Sequence, residues 1–477
     1  MHRLPASILA ATVCTAMAGG LAASPIGAAS ADAAVAAASS PAQTAAQSVF
    51  NRMTQAQRIG QLFMVGGPAK GLTSSTTSTI LNYHVGNLIL TGRATSGTPP
   101  VRALTSDIDA TTTTAATAGV PLFIATDQEG GYVQVLQGPG FSTMPTALRQ
   151  GTLADSTLTS DAAIWGWQVF RAGVDVNLAP VMDTVTKSFA PYNQPIGWYQ
   201  REYGYTPATV ADKGTAFLRG MRSTGLAMTA KHFPGLGAVT GNTDTTSGVT
   251  DTTTTRTSAN IAPFRAALAS GAGLLMVSSA FYSKIDPHNP AAFSSTVITG
   301  MIRGDLGFHG VVISDDLGNA KQVQAWSPGA RAVNFISAGG DVVLTVNPSV
   351  IPAMVAAVSA RVTSNATFRA QVNAAALRVL TLKATQGLLG ARLSLDGTLG
   401  VQTVRALQRW LGITQNGQLT VATIRALQAR IGTSADGLWG PNSVATLQSY
   451  LGTYRDGAHT WTPRTVSVLQ RYLNTQL

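Results

Sequence analysis

Eight short apolar runs constrain this chain more than any other feature; each ends in a turn rich in Gly, Asp or Pro, and helical patterns separate them. They are IGQLFMVGG (59–67), VGNLIL (85–90), PLFIATDQEGG (121–131), VDVNLAPVMD (174–183), LAMTAKHFPG (226–235), GLLMVSSAFY (273–282), GVVISDDLG (310–318) and GGDVVLTVN (339–347). Runs of this length, bounded by turn residues, read as buried strands. Between them lie patterns such as DKGTAFLRGMRS and IAPFRAALAS, whose apolar residues recur at helical spacing. Strands that alternate with helices pair in parallel. Eight such units between residues 48 and 388 predict a (β/α)8 TIM-type barrel with insertions. A doubly wound open sheet is the alternative, but no Gly-x-Gly-x-x-Gly follows the first strand.

In a barrel the C-terminal strand ends form the active face. Asp127, Asp183, the Lys231–His232 pair and Asp315 all fall at or just past such ends. One Asp after a strand is ordinarily a helix cap or a turn former. Four polar groups at matching ends predict a site. The fifth run continues into KHFPGLGAVTGNTDTT (231–246), a loop of small polar residues whose one carboxylate is Asp244.

The end of the chain has another period. Asp396-Gly397, Asn416-Gly417, Asp436-Gly437 and Asp456-Gly457 recur every 20 residues, each followed by an apolar helical pattern: VRALQRWLG, IRALQARIG, VATLQSYLG and VSVLQRYLN. This predicts a small, mainly α-helical repeat domain over 392–477. That segment holds eight Arg, three Asp and neither Lys nor Glu, a net charge of +5. Trp410 reads as core, whereas Trp439 and Trp461 fall in turn regions where a ring can face a sugar.

With 45% hydrophobic and 11% charged residues the chain is not of disordered type. Its net charge of +11 suits an acidic partner, but no Lys/Arg run or nucleic-acid motif is present, so nucleic acid ranks below an anionic wall polymer or lipid. Residues 1–33 have a basic start, an apolar stretch and Ala31-Asp32-Ala33, the form of a cleaved signal peptide; 34–47 read as an Ala-rich linker. The expected protein is therefore secreted, with no stable membrane insertion after cleavage. Cys14, the one cysteine, lies in the signal, so neither a disulfide framework nor thiol catalysis is expected. No His/Cys cluster has ligand spacing, and no metal or organic cofactor is implied.

Four motifs, DQEGG (127–131), APVMD (179–183), KHFPG (231–235) and ISDDL (313–317), occur in an order that resembles the β-N-acetylglucosaminidase branch of glycoside hydrolase family 3, over roughly residues 50–385. The resemblance implies retaining hydrolysis of terminal β-GlcNAc, with Asp315 as nucleophile and Asp316 as a supporting or capping residue. It implies that Asp127, Arg201, Lys231 and His232 hold substrate, and that the Lys231–His232 and Phe233–Pro234 peptide bonds are cis. For Arg201, in IGWYQREYGYTP, a surface salt bridge is the other reading.

The family branch carries an Asp-x-His pair in the loop after KHFPG, with the His as acid/base. Here the loop reads Asp244-Thr245-Thr246, and no histidine lies between His232 and His288. Aligned with a gap, Asp244 matches the family Asp and Thr246 replaces the His; without one, Asp244 takes the His position. A hydroxyl is a poor proton donor near neutral pH, whereas a carboxyl whose pKa is raised is a good one. Asp244 is therefore the expected acid/base, with Asp251 as the second candidate. The loop's Gly and Thr content predicts a mobile segment that holds Asp244 away from Asp315 when no substrate is bound. Tyr132 and Val135 stand where the family commonly has Arg, which weakens the match to an acidic muramyl substrate.

The tail resembles bacterial peptidoglycan-binding repeats, with DGLWGPNSVATLQSYLG the nearest stretch, which implies peptidoglycan or an anionic wall polymer as partner. Two other readings stay open: a catalytically impaired wall- or sugar-binding protein, and a β-glucosidase of the same family.

Overall fold

The structure is a computed structural model, and it describes residues 40–389 and 393–476; the expected signal peptide lies outside them. Its centre is an eight-stranded parallel sheet of β1 (Phe63–Pro68), β2 (Asn87–Thr91), β3 (Phe123–Thr126), β4 (Val176–Asn177), β5 (Ala227–Phe233), β6 (Leu274–Val277), β7 (Val311–Ser314) and β8 (Val343–Thr345). Neighbours in sequence are neighbours in space, and β8 returns to β1 with Met64 opposite Leu344. A bridge between Ile313 and Val342 joins the β7 and β8 ends and closes the ring.

The strands read as continuous apolar runs because both faces are buried. Met64, Ile89, Met276, Ile313 and Leu344 pack in one cluster. Their sequence neighbours Val65, Leu88, Leu275, Val312 and Val343 pack in another, together with residues of the surrounding helices. That division is the period-two alternation of a strand covered on both sides. Each crossover carries a helix, among them Asp155–Arg171, Pro207–Arg222 and Pro328–Ser337. The last two start at a Thr206 or Ser327 side chain that accepts a backbone N–H three residues on, with Pro in the first turn, where its missing N–H costs nothing.

The segment 34–47 is not linker throughout. A helix starts at Pro41 and runs to Arg52. Ser40 and Gln43 cap each other, and Ala46 and Val49 pack with Leu380 of the helix Ala366–Thr385. The Ala-rich composition hid a good cap followed by an apolar stripe. In the same final helix the buried Lys383 ammonium donates to Gln61 Oε1, Gly86 O and Pro121 O at 2.7–2.8 Å, tying that helix to the segments that lead into β1, β2 and β3.

After residue 393 come four helices, Val401–Trp410, Val421–Ile431, Pro441–Tyr450 and Pro463–Gln476. Leu407, Leu427, Leu447 and Leu469 form their core. The Asx-Gly turns have their glycines at φ between 70° and 81°, a region where a side chain is strained. A glutamine staples each turn: Gln408 to Asn416 (2.7 Å), Gln428 to Asp436 (2.8 Å) and Gln448 to Asp456 (2.6 Å). Gln470 of the last helix then returns to Asp396 of the first turn at 2.8 Å, so the four repeats close on themselves. Trp439 and Trp461 stack on one another, 4.3 Å apart and 6° from parallel, and pack on this core instead of standing free. Arg471 fixes the unit to the barrel: its guanidinium donates to Gly225 O (2.8 Å) and lies over the Phe170 ring (4.3 Å). Gly225 precedes β5, so this contact is at the N-terminal ends of the strands, away from the active face.

Candidate active site

Asp127 follows β3, and Glu129 lies two residues further along an extended segment, so both point the same way. Lys231 of β5 reaches between them, with Nζ 2.6 Å from Asp127 Oδ1 and 2.7 Å from Glu129 Oε1. Arg201 closes the network with a fork onto Glu129, Nε to Oε2 at 2.9 Å and Nη2 to Oε1 at 2.8 Å. Burial pushes the Glu129 carboxyl up, but the Arg201 and Lys231 charges outweigh it and hold the group down at about 2. Burial likewise works against the Lys231 ammonium, yet Asp127 and Glu129 keep its pKa above the usual lysine value. Arg201 is thus part of a buried charge network and not a surface ion pair.

His232 is oriented from behind. Its Nδ1 lies 2.7 Å from Asp183 Oδ2, and Asp183 Oδ1 accepts the Leu236 N–H at 2.7 Å. Asp183 is fully buried and holds the turn after β5 together; it does not line the cavity. The other imidazole nitrogen, Nε2, is left 3.5 Å from Arg201 Nη2. The Lys231–His232 and Phe233–Pro234 bonds are both cis.

Asp315 leaves β7 with its backbone N–H on Val277 O at 3.1 Å, and its Oδ1 accepts the Asp316 N–H at 2.9 Å. Asp316 turns the other way and accepts backbone N–H groups of Gly318 (2.8 Å), Asn319 (3.2 Å) and Val346 (3.2 Å). Those bonds make it the brace of the β7 and β8 ends. Burial raises its carboxyl above the usual range in spite of them.

The loop after KHFPG does not hold Asp244 away from Asp315. Lys321 N–H donates to Asp244 O and Gln322 N–H to Thr243 O, both at 3.1 Å. The Gln322 side chain also pairs with both backbone groups of Val249, at 2.9 and 3.0 Å. These bonds pin the loop across to the segment after β7. Asp244 is exposed as a residue, yet it borders the same cavity as Asp315. Burial at the cavity, then the Asp315 and Asp316 carboxylates, push its carboxyl up to about 7, against the opposing pull of Arg201 and His232. Thr246 does not border the cavity, and a Cβ added at Gly241 would lie in contact with its methyl group. Asp251 is fully buried and accepts from Thr253 and Thr254, which removes it as a proton donor to substrate.

The cavity measures about 450 Å3, within the range of small-molecule sites. All six expected residues, Asp127, Arg201, Lys231, His232, Asp244 and Asp315, line it. Sequence reasoning missed Glu129, although its spacing of two from Asp127 inside DQEGG was a signal. Among the described residues no group of three or more His, Cys, Asp or Glu side chains is placed to hold a metal ion. Among them, also, no helix is long and apolar enough to cross a membrane.

A parallel barrel whose C-terminal mouth sets a carboxyl of raised pKa beside a second carboxylate is the arrangement of a glycoside hydrolase. Residues 54–382 match the family described as "Glycosyl hydrolase family 3 N terminal domain". The chain belongs to glycosyl hydrolase family 3. It is 32% identical over 308 residues to a β-hexosaminidase of Stenotrophomonas maltophilia (strain K279a), covering 63% of this chain and 88% of that one. The crystal structure of a β-N-acetylhexosaminidase from Beutenbergia cavernae DSM 12333 is 50% identical, with a TM-score of 0.69, and covers 69% of this chain and 98% of that one. A family 3 β-N-acetylglucosaminidase from Paenibacillus sp. str. FPU-7 shares the fold at 24% identity and a TM-score of 0.66, over 89% of this chain and 97% of that one.

Proposed function

We propose that the chain is an exported, retaining β-N-acetylhexosaminidase that removes terminal β-GlcNAc from wall-derived or related oligosaccharides. The observation that carries this reading is the pairing of Asp244 and Asp315 across one cavity, with the Asp244 carboxyl raised to about 7. Asp315 attacks the anomeric carbon while Asp244 donates its proton to the departing oxygen. Asp244, now ionised, then takes a proton from water, which releases the sugar from Asp315. Lys231, with Asp127, and His232, held by Asp183, offer hydrogen bonds to the sugar hydroxyls. The similarity to β-hexosaminidases supports GlcNAc over glucose. Assaying 4-nitrophenyl β-GlcNAc and β-glucose side by side tests the choice: the first should be hydrolysed at least tenfold faster, and preference for glucose sinks it.

Export rests on the signal-like residues 1–33, and wall binding on the tail. Arg405, Arg409, Arg425, Arg430 and Arg455 are all exposed there, while Arg464 and Arg471 are buried. The full chain should co-sediment with purified cell wall and come off as salt rises above the range where surface charges are felt. Replacing the five exposed arginines by Ser should weaken that binding; retention unchanged by salt and by the variant removes the wall-anchor reading.

A further inference from the structure

Asp244 and Asp315 stand on different segments, so whatever joins those segments sets the distance between the two carboxyls. Gln322, 3% exposed, joins them with a side-chain amide that pairs as a neighbouring strand does: Oε1 accepts the Val249 N–H at 2.9 Å, and Nε2 donates to Val249 O at 3.0 Å. One side chain thereby pairs both backbone groups of a buried residue 73 positions away in the chain. An amide is suited to this because it carries a donor and an acceptor side by side. The adjoining backbone adds the Lys321 N–H on Asp244 O and the Gln322 N–H on Thr243 O, both at 3.1 Å. Asn242 Oδ1 accepts the Asp244 N–H at 2.9 Å, so both backbone groups of Asp244 are held.

The other half of this junction is internally braced. Arg331, buried on the helix Pro328–Ser337, donates to Leu317 O (3.0 Å), Gly318 O (2.9 Å) and Gln324 Oε1 (2.9 Å). Gln324 Nε2 returns to Gly318 O (3.1 Å) and Ala320 O (3.2 Å). With the Asp316 bonds to Gly318 and Asn319, these contacts make residues 315–324 one piece, with Asp315 at one end and Gln322 near the other. The loop depends on contacts from outside itself. Thr240 O takes the Gln194 N–H at 3.1 Å, and Val249 O also takes the Phe281 N–H at 3.0 Å. Asp244 lies between these two ties, on the stretch that residues 321 and 322 hold.

We infer that Gln322 is a positioning residue for the acid/base: its side chain latches the loop of Asp244 onto the segment of Asp315, so the two carboxyls form one preassembled pair before substrate arrives. The inference rests on the reading of Asp244 as acid/base. An acid on a free loop is in place for a fraction of the time, and the reaction slows by that fraction. The latch also sets the surroundings of Asp244. The charged groups around it are Asp315 and Asp316 from the end of β7, Arg201 from the loop after β4, and His232 of β5. Freeing the loop takes the Asp244 carboxyl out of the burial and away from the two carboxylates that raise its pKa.

The test uses the full chain and Gln322→Met, which keeps the length of the side chain and removes its amide. Hydrolysis of chitobiose should fall by about tenfold or more, and of 4-nitrophenyl β-GlcNAc by much less, because only the first needs an acid. The alkaline limb of kcat/KM, near pH 7 in the parent, should move to lower pH. A loss that is merely structural lowers both substrates alike and leaves the limb in place; that result overturns the inference. Amide exchange gives a second reading that needs no variant. In the unliganded parent the Val249, Lys321 and Gln322 N–H groups should be protected, and saturating GlcNAc should add little. Free exchange at these amides that slows only when sugar is bound overturns the preassembled pair. If Asp244→Ala lowers both substrates equally while Gln322→Met still frees the three amides, the acid/base reading fails and the latch stands.

Discussion

Arg201 grips Glu129 with two parallel hydrogen bonds of 2.9 and 2.8 Å, and the same carboxylate takes Lys231 at 2.7 Å. Two cations therefore meet on one side chain, and among the described residues only Lys231 of the two has a second carboxylate, Asp127 at 2.6 Å. Breaking a buried pair by removing one partner typically costs about 3–5 kcal/mol, because the other charge is left uncompensated. Glu129→Gln should lower stability in urea by that order and also weaken substrate binding, since Arg201 and Lys231 lose their positions. Stability within about 0.5 kcal/mol of the parent would show that the network is not held through Glu129.

Asp315→Asn should abolish turnover of a GlcNAc glycoside while leaving the thermal transition close to that of the parent. The brace of the β7 and β8 ends is Asp316, through three backbone bonds, and it stays intact. Near-normal turnover by pure Asp315→Asn protein rules out the nucleophile assignment.

The Asp244 carboxyl, raised to about 7, is the proton donor to the leaving oxygen in the proposed mechanism. The acid form is required, so kcat/KM should fall as pH rises through about 7. Asp244→Ala should remove that alkaline limb. It should also reduce hydrolysis of a natural disaccharide by roughly 10²–10⁴-fold, and of a nitrophenyl glycoside much less, because an activated phenol departs without an acid. Equal losses on both substrates would mark Asp244 as a binding residue.

Glu202, next to Arg201, is fully buried, and neither of its carboxyl oxygens has a hydrogen-bond partner. Burial raises its pKa from 4.5 to about 7. The folded chain thus holds this proton in a pH range where the unfolded chain has lost it. The resulting stability is fully present below about pH 4.5 and is lost as pH rises through about 7. Glu202→Gln should flatten that part of the stability profile and stabilise the protein at pH 8, by an amount on the order of a few kcal/mol. A variant whose urea midpoint keeps the parental pH dependence would show that the carboxyl is neutralised by other means. Asp244 contributes with the same sign, so some slope remains.

Much of the site was legible because a barrel gathers whatever follows its strands. Asp127, Lys231, His232 and Asp315 were placed by their strands alone, and Arg201 and Asp244 needed the family resemblance as well. The role of Asp183 was not legible: an Asp after a strand looks the same whether it faces the cavity or, as here, holds the back of His232. Which of Asp244 and Thr246 stands at the family's His position was a question of loop alignment, which no local pattern decides; the chemistry of a carboxyl pointed to Asp244 under either alignment. Nor could the repeats reveal that their glutamines are staples, since each bond spans a helix end and the next turn.

The amino-acid sequence by itself determined the alternation of strand and helix, and with it the parallel barrel and the face on which a site can form. Those are consequences of local periodicity and chain connectivity. Only the tertiary structure decided the protonation of the site: Glu129 held ionised between Arg201 and Lys231, and Asp244 raised to about 7 by burial and by Asp315 and Asp316. It also decided the return of Gln470 to Asp396 that closes the tail. Such properties depend on charges and donors brought together from distant parts of the chain, 72 residues apart for Arg201 and Glu129 and 74 for Gln470 and Asp396. Their strength is set by the burial that folding creates, and sequence spacing does not encode it.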